Sequence, residues 1–238
     1  MHDGSPVRAF VAGATGYTGR ATVTALRERG IETIAHVRPD SPRLAELRAD
    51  FEAQGASVDT TAWEPEALAA SLRRAQPTLV FALLGTTRKR ARAEGMAATQ
   101  AYARVDYGLT RWLIDAAAAC GSRPRFVYLS AIGVEPDAAN PYFAARARAE
   151  AALRDSGLPW TIVRPALISG GDRAERRSGE RAAAVVGDAV LGVVGLLGGA
   201  RVRDRYRSMD AAALARGLVR VALDPAFVDR VVLPEALR

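Results

Sequence analysis

Three glycines spaced three apart, Gly13, Gly16 and Gly19, are the residues of this chain best suited to cradle a phosphate group. They stand in the run Val11-Ala12-Gly13-Ala14-Thr15-Gly16-Tyr17-Thr18-Gly19, after a short apolar stretch and ahead of a helical pattern. In a strand–turn–helix setting Gly13 turns the chain, Gly16 lets a pyrophosphate approach the backbone, and Gly19 lets the helix pack closely on the strand. The first helical turn then offers N–H groups without intrahelical acceptors, together with the positive end of its dipole. Thr15, Tyr17 and Thr18 belong to the same cradle. A dinucleotide is therefore the expected ligand. Its type is decided at the end of the second strand, where an acid would bind a ribose 2′-hydroxyl and a cation would pair with a 2′-phosphate. Arg38 stands there, which favours NADP over NAD, although Asp40 follows two residues on.

Such a turn needs a parallel sheet behind it, and the chain carries the pattern of one. Short β-branched runs at Val7–Ala12, Thr33–Val37, Ser57–Thr60, Leu79–Leu84, Phe126–Leu129 and Thr161–Val163 predict strands. Between them, Thr18–Arg29, Arg43–Gln54, Pro65–Arg74, Ala97–Ala119 and Tyr142–Ser156 predict helices. The alternation points to an α/β fold of Rossmann type, a doubly wound parallel sheet with helices on both faces. One domain over residues 1–238 is expected. After Pro165 the alternation weakens, so residues 166–238 are expected to form a small substrate-binding or lid portion. The apolar stretch Ala182–Ala200 carries Asp188 near its middle and five glycines, and reads as a packed element rather than a membrane span.

Composition narrows the function classes. Of 238 residues, 49% are hydrophobic and 25% charged, which excludes a disordered or collagen-like chain. Cys120 is the single cysteine, so an intramolecular disulfide and a cysteine metal cluster are excluded, and His2 and His36 make no histidine metal site. No metal is expected. The net charge is +7, but the basic residues are interleaved with acids, and all but one of the 33 are arginine. Such a spread fits a solvated surface better than a nucleic-acid groove, and no membrane partner is expected. The N-terminus lacks the basic-then-apolar pattern of a secretory leader, so a cytoplasmic setting is expected.

Further motifs follow the glycine turn in order: Leu84-Gly85-Thr86-Thr87-Arg88, Tyr128-Leu129-Ser130-Ala131-Ile132-Gly133, Tyr142-Phe143-Ala144-Ala145-Arg146 and Val163-Arg164-Pro165. From about Val7 to Asp172 the chain resembles the atypical short-chain dehydrogenase/reductase superfamily. The resemblance is to the NAD(P)H-binding group that includes NmrA-like and Tat-interacting-protein-like members. It implies that Leu84, Gly85 and Thr86 line the cofactor, with Thr86 near the nicotinamide ribose and Pro165 near the carboxamide. It implies that Ser130 hydrogen-bonds a substrate carbonyl or hydroxyl and that Tyr142 is the acid/base residue. Arg146 stands one helical turn later, where the family usually has a lysine that binds the ribose and lowers the tyrosine pKa. Restoring lysine there is expected to maintain or raise activity. The implied function is an NADP-dependent oxidoreductase acting on a small carbonyl or alcohol that the sequence does not identify. Two alternatives share the motifs: a non-catalytic NADPH-binding redox sensor, and a sugar-nucleotide epimerase, for whose usual substrate domain the chain is short. Long exposed helices pair in this fold class, so a homodimer is a further expectation.

Overall fold

The chain folds around seven parallel strands: β1 (Arg8–Ala12), β2 (Glu32–His36), β3 (Ser57–Asp59), β4 (Leu79–Ala82), β5 (Arg125–Leu129), β6 (Trp160–Val163) and β7 (Arg230–Val232). The structure, a computed structural model, describes residues 6–166, 168 and 209–237. Strand order is β3-β2-β1-β4-β5-β6-β7, so the chain winds outward from β1 in one direction and from β4 in the other. That reversal lies between β1 and β4, where Phe10 pairs with Val80 and Ala12 with Ala82. Crevices at such a switch point, outside the carboxyl ends of the strands, are where open α/β sheets bind ligands.

Helices α1 (Tyr17–Glu28), α2 (Leu44–Ala53), α3 (Pro65–Ala75), α4 (Arg88–Ala93) and α5 (Ala98–Ala101) come first. A π-helical segment (Tyr102–Leu109), α6 (Thr110–Ala118), α7 (Pro141–Arg154) and α8 (Ala211–Leu223) follow. Strand alternation divides the core. Ala9, Val11, Phe81, Val127 and Val163 face the α1 and α8 side, joined by Val23, Leu26, Leu214 and Leu218. Phe10, Ala12, Val80, Phe126, Tyr128 and Ile162 face Leu72, Leu113, Ile114, Ala149 and Leu153 on the other. Each such aliphatic side chain contributes roughly 2 kcal/mol on burial.

Two expectations change. The fourth strand ends at Ala82 rather than Leu84, because Leu83 and Leu84 leave the ladder after the Leu83 N–H donates to the Ala12 carbonyl at 2.9 Å. The single helix expected over Ala97–Ala119 contains eight residues of π-helix, whose wider turns re-aim the side chains they carry. Most of the expected substrate-binding or lid portion over 166–238 lies outside the described residues, and residues 209–237 return to the sheet. There α8 packs beside α1, and β7 pairs with β6 through Ile162 and Val231. Asp210 caps α8 by accepting from the Ala213 N–H at 2.7 Å. Ala182–Ala200 lies outside the described residues. Among the described residues, no helix is long and apolar enough to cross a membrane.

Candidate active site

At the end of β1 the chain turns at Gly13 with φ +81°, in the region that disfavours side chains. A Cβ there would stand 2.5 Å from the Leu83 carbonyl oxygen, so Gly13 also lets the turn touch the strand-exit loop of β4. A Cβ on Gly19 would lie 2.1 Å from the Gly13 oxygen, which makes the glycine a requirement of seating α1 on the turn. Gly16 differs from both. Its φ of −75° suits any residue, and an added Cβ would meet Gly13 oxygen at 3.3 Å and nothing else within 4 Å. A side chain at 16 would be tight against one carbonyl oxygen only, unlike those at 13 and 19. The surface a Cβ would fill is open at the N-terminus of α1, as a pyrophosphate requires. Thr15 is exposed, Tyr17 half-buried and Thr18 buried, and Arg20 ties the turn by donating to the Thr15 carbonyl at 3.3 Å.

Arg38 projects into solvent just past β2, with Nε 3.7 Å from an Asp40 carboxylate that is more exposed still. So loose a pair in water holds the guanidinium weakly and leaves it available to an anion. Between Arg38 and the sheet, His36 is buried, with Nε2 2.8 Å from the Thr61 carbonyl oxygen and its ring edge-on to Trp63. Burial lowers its pKa, against the hydrogen bond to Thr61 and the charge of Asp59.

The second half of the site is assembled on α7. Pro141 fits its first turn, and the Asn140 side chain caps it by accepting from the Tyr142 N–H at 2.9 Å. Residues four apart share a face, so Tyr142, Arg146, Glu150 and Arg154 form one stripe. The half-buried Tyr142 ring lies 4.7 Å from the Arg146 guanidinium and edge-on to Tyr102 and Phe143. Arg146 is 6% exposed. Its Nη1 donates to the Leu129 carbonyl at 2.6 Å and its Nη2 to Asp106 Oδ1 at 3.0 Å. Gly85 passes directly over this pair: a Cβ there would stand 3.0 Å from Arg146 Nη2 and 3.4 Å from Asp106 Oδ1. The neighbouring Thr86 N–H donates to Asp106 Oδ2 at 3.1 Å. Burial pushes Asp106 up to about 6, against the pull of Arg146 and the Thr86 amide. Arg146 keeps its charge, because Tyr128, Tyr142 and Asp106 outweigh the effect of burial.

Arg146 is therefore no substitute ammonium. Its fork reaches a carbonyl and a carboxylate while its face meets an aromatic ring, and a lysine can reproduce at most part of that set.

Ser130 follows Leu129 and faces Glu150, one turn along α7 from Arg146. It is 4% exposed at the end of β5, and its Oγ donates to Glu150 Oε1 at 2.6 Å. Burial works to raise the Glu150 pKa, but hydrogen bonds from Arg164, Ser130 and Arg154 together hold it below the usual carboxylate value. An ionised Glu150 can only accept, so the Ser130 proton is committed to it. Pro165 is buried, its carbonyl accepting from the Ile132 N–H at 3.0 Å, which ties the exits of β5 and β6 together. The structure thus sets Gly13 against Leu83 and Leu84, links Gly85 and Thr86 to Asp106, Arg146 and through it Tyr142, leaves Arg38 beyond β2, and points Ser130 at Glu150. Asp106 and Glu150 were missed in the sequence. The i, i+4, i+8 stripe on α7 could have revealed Glu150; nothing local marks Asp106.

A family model for NAD(P)H-binding proteins matches residues 13–190, three-quarters of the chain. The chain belongs to the NAD(P)H-binding family. The resemblance read from its motifs therefore holds. A relative, Protein FMP52, mitochondrial, of Coccidioides immitis (strain RS), is 30% identical over 220 residues, 90% of this chain and 84% of that one. The fold is shared with AtPrR2 solved with NADP+ and (+)pinoresinol, at TM-score 0.67, 16% identity, and coverage of 96% of this chain and 70% of the other. It is shared equally with WbmG of Bordetella bronchiseptica in complex with NAD, at TM-score 0.65, 14% identity, and coverage of 97% and 73%.

Proposed function

We propose that this NAD(P)H-binding protein is an NADP-dependent oxidoreductase acting on a small carbonyl or alcohol, with Tyr142 as its acid/base residue. The observation that carries the reading is the Tyr142 ring stacked on a buried guanidinium beside the Gly85–Thr86 loop, at the carboxyl edge of β4 and β5. Gly13, Thr15, Gly16, Tyr17, Thr18 and Gly19 would hold the pyrophosphate, Arg38 the 2′-phosphate, and Leu84, Gly85, Thr86 and Pro165 the nicotinamide half. When bound, the dinucleotide supplies or accepts a hydride. The Tyr142 phenol moves the matching proton, giving it to a carbonyl oxygen of the substrate or taking it from an alcohol. The fixed charge of Arg146 favours the phenolate left behind, and the Tyr102 and Phe143 rings hold the phenol in place and exclude water from one side. Ser130, bound to Glu150, orients α7 against β5 and does not itself offer a proton to substrate.

A screen of carbonyl and alcohol substrates with NADPH and NADP+ tests the reading. Tyr142→Phe should reduce turnover about 10²–10⁴-fold while NADPH affinity stays within a few-fold. Normal turnover by that variant contradicts the assignment. The inward Ser130 favours one other reading, a non-catalytic NADPH sensor, which tight NADPH binding without turnover of any substrate would support.

A further inference from the structure

We infer that Asp106 is a positioning residue that couples the cofactor loop after β4 to the acid/base tyrosine on α7, one carboxylate bridging Thr86 and Arg146. The inference rests on the cofactor and Tyr142 assignments above. Its two oxygens do separate work. Oδ2 accepts from the Thr86 N–H at 3.1 Å and Oδ1 from Arg146 Nη2 at 3.0 Å. Asp106 is fully buried, so neither bond is diluted by water. Arg146 carries the contact onward to the face of Tyr142. A shift of the Gly85–Thr86 loop as a cofactor seats must therefore move the carboxylate or strain it, and the carboxylate carries the guanidinium beneath the phenol with it. The π-helix is what makes the bridge, since Asp106 lies inside Tyr102–Leu109 and that segment packs along α7. Gly85 completes it, because a side chain there would press on both Arg146 and Asp106.

A buried ion pair could instead serve packing alone, and amide hydrogen exchange separates the two roles. In the parent protein, saturating NADPH should slow exchange at Thr86 and at the first turn of α7, Tyr142–Arg146, together by at least about tenfold. Slowing in the loop with α7 unchanged overturns the coupling, and this measurement needs no variant. Asp106→Asn keeps an acceptor for Thr86 but presents no charge to Arg146. It should weaken NADPH binding about tenfold and lose the joint protection of α7, with circular dichroism unchanged.

The pH profile adds a readout that packing would not move. Arg146 on α7 and Tyr128 on β5 are the ionisable groups that interact with this carboxylate. NADPH affinity of the parent should fall toward that of Asp106→Asn below about pH 6, as Asp106 is protonated. Comparing the two proteins cancels the titration of the cofactor's own phosphate, whose second pKa is also about 6. An Asp106→Asn protein that binds NADPH within twofold of parent from pH 5 to 8 overturns the inference. A parent that binds neither NADPH nor NADH overturns the cofactor reading and this inference with it.

Discussion

Two buried charge clusters lie one helical turn apart on the same face of α7, and they are built in opposite ways. At Glu150 a fully buried carboxylate receives Ser130 at 2.6 Å, both arms of Arg164 at 2.9 and 2.6 Å, and Arg154 at 2.9 Å. Its four hydrogen bonds match the lone-pair sites of a carboxylate, and they hold it below the usual carboxylate range. At Asp106 a single guanidinium and one backbone amide face the carboxylate, and burial wins, pushing it up to about 6. Beside it, Arg146 Nε and the Tyr128 hydroxyl have no hydrogen-bond partner among the described residues. A saturated cluster rigidifies the joint between α7, β5 and β6. A sparingly satisfied one, under the loop that meets the ligand, leaves the structure able to respond.

The largest effect should come from the saturated side. Glu150→Ala leaves Arg164 and Ser130 without their acceptor and should cost about 3–5 kcal/mol. Arg154, 39% exposed, adds little to that loss. Thermal denaturation should show a Tm lower by about 10 °C for a chain of this size. An unchanged Tm would erase the distinction between the clusters.

Next in size is an opposition in pH dependence. Asp106 titrates higher folded, at about 6, than its usual 3.8, so its stabilising contribution is complete below 3.8 and is lost as pH rises through 6. Glu150 titrates below its usual 4.5, so its contribution is present above 4.5 and is lost as pH falls through the folded value. The stability of the parent relative to Asp106→Asn should therefore fall between pH 4 and 7, by up to about 3 kcal/mol. Relative to Glu150→Gln it should rise from pH 3 to 5. Denaturant titrations at several pH values would show slopes of opposite sign; parallel slopes would mean that the two sites are alike. The smallest effect is expected of Ser130→Ala, about 1 kcal/mol in stability with turnover and NADPH affinity within a few-fold of parent. A hundredfold loss of turnover would return Ser130 to the substrate.

The sheet and the phosphate turn were legible because their constraints are local. Six strands show in short apolar runs, and Gly13 and Gly19 are required by contacts within a few residues or at the neighbouring strand. β7, Arg230–Val232, escaped as an edge strand of which only Val232 is buried. The π-helical turns escaped because the residue pattern of Tyr102–Leu109 does not separate a π-helix from an α-helix. Asp106 lies forty residues before Arg146, and only the fold joins them. The arginines misled as well: their even spread read as solvated surface, yet Arg125 and Arg146 are buried. Arg125 donates at 2.9 and 2.8 Å to the carbonyls of Ala222 and Asp224 at the end of α8, and to Thr161, partners far along the chain.

The proposed function depends on NADP(H) binding at the carboxyl ends of β1 and β4. Titration of NADPH and NADH into the parent, Gly16→Val and Arg38→Ala is the sharpest test of it. The parent should bind NADPH at least tenfold more tightly than NADH, since a charge-assisted pair with the 2′-phosphate contributes about 1.5–3 kcal/mol. Arg38→Ala should lose that preference, and Gly16→Val should bind neither cofactor while remaining folded. Equal affinities in the parent would contradict the role of Arg38, and full NADPH binding by Gly16→Val would contradict the cradle itself.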